Sequence, residues 1–149
     1  MRVRSFAREE LDAENTVSSA SDPDPFVVNI QRATRQNTAL RTVLWTGNRL
    51  QPVLMSISTE SATGLDSLSG LDQYIRVEQG QGLLQTGPSR DNLNVVRNVY
   101  NGYEIYVPAG TWFNLINTGS GPLKFNIIYT PPQDPSDNST GTRRCNRRT

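Results

Sequence analysis

Histidine is missing altogether from the 149 residues, and cysteine occurs once, at Cys145. Without histidine the chain lacks the commonest metal ligand and general base, and every Ser-His or Cys-His nucleophile pair is excluded. A single cysteine excludes an internal disulfide and suits a reducing compartment, so an intracellular protein is expected. In its polar, arginine-rich setting this thiol reads as an exposed bystander. Long apolar runs are lacking too. No stretch approaches the roughly 20 residues a membrane span needs, and the charged start MRVRSFAREELDAEN does not read as a secretory signal. Nor is either sign of charge in excess: 15 Lys and Arg against 14 Asp and Glu leave +1. That argues against a whole-domain electrostatic grip on nucleic acid or membrane.

What remains is one globular domain with polar ends. The chain is long enough to bury a core, and its hydrophobic content of 35% is lean chiefly because of the termini. Residues 1–25 read as an extension. Val3, Phe6, Ala7 and Leu11 recur at helical spacing, which predicts a short amphipathic helix that needs a surface to lie on. Thr16–Pro25 (TVSSASDPDP) reads as a linker. The domain is expected over 26–132, as about nine strands. PFVVNI (25–30), LRTVLWT (40–46), LQPVLMSIS (50–58) and DQYIRVE (72–78) come first, then 83–85, 95–99, 103–107, 111–117 and LKFNIIY (123–129). Pro52 predicts an edge or a bulge, and Pro131-Pro132 ends the last strand. Gly, Pro and Asn turns without helical periods between these runs mean an antiparallel sandwich or barrel. The tail, 133–149, is rich in Ser, Asp and Asn and clusters Arg143, Arg144, Arg147 and Arg148. Such a segment is ordered only when something holds it, so both ends are expected to contact other protein subunits.

GYEIYVPAGTWFNLIN, from Gly102 to Asn117, organises the domain. Gly, five residues, Pro-x-Gly, two residues, Phe113, three residues and Asn117 specify two strands around a tight turn. The spacing resembles the second conserved motif of the cupin superfamily, and 25–132 as a whole resembles a small single-domain cupin. The resemblance implies an all-β, antiparallel double-stranded β-helix of jelly-roll type. It also implies a homodimer through the sheet. In that family the position of Phe113 is a metal-binding histidine, and the partner motif, counted back from Gly80, puts the remaining ligand positions at Asp66, Leu68 and Gln73.

Leu and Phe have no donor, and one carboxylate with one amide oxygen does not hold a transition metal. The reading is therefore a metal-free chain with no cofactor and no catalytic residue. Three uses for it remain open. One is a non-catalytic interaction module, a subunit of a larger assembly such as a shell, capsid or virion, clamped by tails carrying Phe6, Leu11 and the four arginines. Another is a small-molecule binder with Asp66, Gln73, Tyr74 and Trp112 lining the barrel mouth. The last is a metal-independent enzyme drawing on Asp66, Glu78, Glu104 or the tyrosines Tyr74, Tyr103 and Tyr106. Nucleic-acid contact by the arginine tail is not expected, because four arginines suit any anionic surface.

Overall fold

Alternating apolar and polar residues separated by glycine and proline turns give strands with one face inward. The computed structural model of the protein describes residues 18–19, 25–68 and 70–130. The elements are β1 (Ser18–Ser19), α1 (Ile30–Gln36), β2 (Arg41–Val43), β3 (Trp45–Thr46), β4 (Gln51–Ile57) and β5 (Gln73–Gln79). They continue with β6 (Gln81–Gly87), β7 (Val95–Tyr100), β8 (Glu104–Val107), β9 (Trp112–Asn117) and β10 (Leu123–Tyr129). Two antiparallel sheets form, a five-stranded one in the order β2-β4-β10-β5-β8 and a three-stranded one in the order β7-β6-β9. β1 pairs in parallel with β3, which ties part of the expected linker to the domain. This is the all-β jelly roll that the resemblance implies.

The core lies between the two sheets. Val53, Met55 and Ile57 of β4, Ile75 and Val77 of β5, and Phe125, Ile127 and Tyr129 of β10 meet Leu84, Phe113 and Leu115 of the smaller sheet. Each such side chain, fully buried, contributes about 1.5–3 kcal/mol. The Pro108–Gly110 turn forms as expected, with the Thr111 N–H donating to the Pro108 carbonyl at 3.1 Å and Gly110 at φ 81°. Pro52 lies in an inner strand rather than at a sheet edge. Its ring nitrogen cannot donate, and the facing strand breaks opposite it at Leu44, between β2 and β3.

One element differs from expectation. PFVVNI is no strand: its extended part has no ladder partner among the described residues, and Ile30 opens helix α1. Asn29 caps that helix by accepting the Arg32 N–H at 3.0 Å, and Asn37 closes it. The helical signal is Ile30, Ala33 and Thr34 at i, i+3 and i+4 between two asparagines. Phe26, Val28, Ile30 and Ala33 pack on Leu44 and Leu54, so α1 covers the outer face of the five-stranded sheet over β4 and β10. The expected N-terminal helix and the arginine tail lie outside the described residues.

Asn117, the last residue of the motif, fixes the turn into β10. Its Nδ2 donates to the carbonyls of Ile57 at 3.0 Å and Gly121 at 2.9 Å, and its Oδ1 accepts the Gly119 N–H at 2.8 Å. Replacing Asn117 by Ala strands these backbone groups in a buried place. The expected loss is about 2 kcal/mol of unfolding free energy, read from the midpoint of a urea titration at unchanged m-value.

Candidate functional site: the barrel interior and the tyrosine face

The four positions that the resemblance marks lie in or against the barrel interior. Asp66 and Phe113 face one another in an isolated antiparallel bridge, exchanging N–H···O bonds of 3.0 and 2.9 Å. The Asp66 carboxylate accepts the Ser67 N–H at 2.8 Å. Leu68 packs against the core that Phe113 belongs to, and its carbonyl accepts the Gly110 N–H at 2.9 Å. Gln73, 4% exposed, keeps an Oε1 with no hydrogen-bond partner among the described residues. No three His, Cys, Asp or Glu converge among the described residues. The donor set at these four positions is one carboxylate and one amide oxygen, which does not fit a transition metal.

A residue the sequence reading missed lies in the same interior. Arg41 of β2 is 3% exposed and sits opposite Met55. Its Nη1 lies 3.6 Å from Met55 Sδ and both Nη atoms lie 3.5 Å from Tyr129 Oη, with the guanidinium 5.5 Å from the Tyr129 ring centre. A guanidinium held at low dielectric opposes a metal cation nearby. The clue was available in the alternation of RTVLW, where Arg41 falls on the face of Val43, but arginine is seldom assigned to a core.

Strand alternation separates the other candidates. On β5, Gln73, Ile75 and Val77 face the core, while Tyr74, Arg76 and Glu78 face outward. Pro52, Ile128, Tyr74 and Tyr106 therefore form one row across four strands of the outer face. The Tyr74 and Tyr106 rings stand 5.3 Å apart at 60°. Trp112 also faces outward, under the Arg90 guanidinium at 5.4 Å, so it does not share the interior with Asp66 and Phe113. Beside the tyrosine row is a cavity of about 290 Å³ lined by Asp72, Gln73, Tyr74, Tyr106, Val107, Pro108, Ile128 and Thr130. Of the expected mouth residues it takes Tyr74 and Gln73 but neither Asp66 nor Trp112.

The two strand glutamates differ. Glu78 is 0% exposed, because α1 covers the outer face there. Its Oε2 lies 2.8 Å from Arg76 Nε, in an ion pair without hydrogen-bond alignment, and accepts a long bond of 3.4 Å from Asn126 Nδ2. Arg76 stays charged beyond its ordinary value, chiefly through Glu78. It also reaches Glu104, at 3.4 Å. Glu104 is exposed and accepts both phenols, Tyr106 at 2.5 Å and Tyr74 at 2.9 Å. Those two bonds, from Tyr106 first, hold its carboxyl below the ordinary value. Tyr106 is raised by the same bond, and Tyr74 by desolvation and then by Glu104. Near α1, burial lowers Lys124, whose Nζ donates to the Arg35 carbonyl at 2.7 Å. Tyr103 stands outside this cluster, edge-on to Tyr100 with ring centres 5.5 Å apart.

No protein-family model matches the chain. "Uncharacterized protein YrkC" of Bacillus subtilis is 48% identical over 128 residues, which cover 86% of this chain and 69% of that protein. "Uncharacterized protein L612" of Acanthamoeba polyphaga mimivirus is 34% identical over 111 residues, 74% and 68% of the two chains. Among solved structures, BH2720 from Bacillus halodurans aligns at 48% identity and a TM-score of 0.78, covering 80% of this chain and 91% of that one. An RmlC-like cupin family protein with a double-stranded β-helix fold, from Methanocaldococcus jannaschii, aligns at 17% identity and a TM-score of 0.54 over 63% and 81%. At that identity the likeness speaks for the fold alone.

The phenol–carboxylate cluster sets a pH window. Glu104, with its folded value lowered, contributes stability above the ordinary carboxylate range that is lost as pH falls through the lowered value. Tyr74 and Tyr106, with raised values, contribute stability below about 10 that is lost as pH rises through the raised ones. In a spectrophotometric titration of the folded protein these two tyrosines ionise later than a free phenol. Glu104→Gln is expected to bring both back toward 10.0. An unchanged titration curve would contradict the pairing.

Proposed function

We propose that the chain, whose fold is the double-stranded β-helix seen in cupins, is a metal-free, non-catalytic member of that superfamily working as a protein-interaction module. The observation carrying this reading is the interior: Phe113 is a core residue with Leu68 packed against that core, Asp66 is bridged to Phe113, and the Arg41 guanidinium is buried against Met55 and Tyr129 of the same core. Chemistry without a metal has little to draw on. The Glu78 carboxylate is sealed beneath α1, and that of Glu104 already holds two phenols and Arg76.

The interaction half of the proposal rests on where apolar surface is bare. Of the seven exposed large hydrophobics among the described residues, five lie between Val95 and Tyr106: Val95, Val96, Tyr100, Tyr103 and Tyr106. Val95, Val96 and Tyr100 sit on β7, Tyr106 on β8 and Tyr103 between them; β7 and β8 end the two sheets, so apolar side chains and open strand edges coincide. A second copy of the chain is the partner that suits this arm, because a two-fold contact brings one open edge against its equal. The terminal segments with Phe6, Leu11, Arg143, Arg144, Arg147 and Arg148 are proposed as further contacts with protein subunits. Relatives in a bacterium and in a virus favour a module of general use over a capsid subunit.

Two measurements test the two halves. Elemental analysis of the purified protein should find Fe, Mn, Ni and Zn far below one per chain; a stoichiometric metal overturns the metal-free reading. In sedimentation velocity the protein should run as a dimer and Val96→Asp as a monomer with unchanged circular dichroism. A monomeric parent protein removes the second copy as the partner.

A further inference from the structure

The cavity beside the tyrosine row lies at one end of the outer face. Tyr106, Tyr74 and Ile128 stand side by side on β8, β5 and β10, and Pro108, Asp72 and Thr130 lie just beyond the ends of the same three strands. Asp72 is the one charged residue in this lining among the described residues, and its Oδ1 accepts the Ala109 N–H at 2.9 Å. Arg76 lies on the other side of Tyr74, held by Glu78 and Glu104, so no cation lines the cavity among the described residues.

Both phenols of the pair donate to Glu104. That commits their protons, and a phenol held by a carboxylate pushes electron density into its ring, which deepens the negative face that draws a cation. The two ring centres are 5.3 Å apart at 60°, so a head group seated in the angle lies within the roughly 6 Å reach of both. An anion finds no cationic donor in this lining. A guanidinium or a primary ammonium brings several N–H groups that each need an acceptor, and here they meet one carboxylate and apolar walls. A fully methylated ammonium needs no acceptor, and its methyl groups suit Val107, Pro108 and Ile128.

We propose that this cavity binds a fully methylated ammonium ligand: the cationic head lies against the Tyr74 and Tyr106 rings, Asp72 balances its charge, and its methyl groups cover Val107, Pro108 and Ile128. At about 290 Å³ the cavity takes a head group with a short substituent rather than a long chain. This binding activity goes beyond the interaction reading. It uses neither the barrel interior nor β7, and only Tyr106 is shared with the exposed arm. Tyr106, 67% exposed, is the outer wall and is removable without opening the core.

Titration of the full-length protein with choline, followed through the ring resonances of Tyr74 and Tyr106, tests the seat. Choline should shift both to saturation. Its neutral isostere, in which a tert-butyl group replaces the trimethylammonium, should bind at least about tenfold more weakly. Tyr106→Leu, with unchanged circular dichroism, should weaken choline about fivefold or more, and Asp72→Asn, which keeps an acceptor for the Ala109 N–H, about two- to fivefold. Tyr106→Phe keeps the ring but not its bond to Glu104 and should fall between the parent protein and Tyr106→Leu. No saturable shift in the parent protein overturns the proposal, and so does equal binding of the isostere, which leaves only an apolar pocket. Choline binding that survives both Tyr106→Leu and Asp72→Asn undiminished lies elsewhere and also overturns it. Methylguanidine binding more tightly than choline overturns the methylated head group. Binding to Val96→Asp but not to the parent protein assigns the tyrosine face to the second copy and overturns the ligand seat, while leaving the interaction reading intact.

Discussion

The register of β10 is the constraint on which the rest depends. This strand is paired on both sides, with β4 and with β5, over nearly its whole length. Phe125, Ile127 and Tyr129 face the core, while Asn126 and Ile128 face outward. A slip of one residue would exchange the two sets, moving Tyr129 away from Arg41 and Ile128 out of the tyrosine row. Asn117 and the turn it closes set where this strand begins.

Two faces of one sheet thereby acquire different chemistry. Inward, aliphatic and aromatic side chains meet the smaller sheet, with Arg41, Gln51 and Gln73 as polar exceptions. Arg41 is a buried charge whose methylene stem packs in the core while its head meets Tyr129 and the Met55 sulfur. Outward, α1 divides the surface. Beneath it Glu78, Asn126, Thr34 and Lys124 form a polar layer, with Asn126 donating to Thr34 Oγ1 at 3.0 Å. Beyond it the tyrosine row stays bare. The helix is only seven residues long and is held by packing rather than by its own propensity. Its position decides which carboxylate is sealed and which is free to take two phenols.

Among the described residues no three His, Cys, Asp or Glu converge, and the geometry gives the interior a physical sense without them. Phe113 and Leu68 contribute contact where donors would require solvation or charge balance, and Asp66 is secured by backbone pairing at its bridge to Phe113. Such side chains favour a firmly packed interior over a wet one. Open strand edges and exposed aromatic rings lie instead on the outside, on β7 and β8.

The sequence by itself determined the strands and the turns. Period-two alternation, Gly102, Gly110 and the Pro108 turn are local signals, and the missing donors at Leu68 and Phe113 are visible without coordinates. The inward face of β5 was equally legible, because alternation puts Ile75 and Val77 together. Tertiary structure decided what alternation leaves open. PFVVNI alternates, yet without a partner strand it cannot be one, and the helix after it is held by Leu44 and Leu54. Glu78 and Glu104 both point outward by parity, and only the placement of α1 makes one buried and the other exposed. Arg41 and Tyr129 are 88 residues apart, and no local pattern brings them together: long-range pairing of β2, β4 and β10 does.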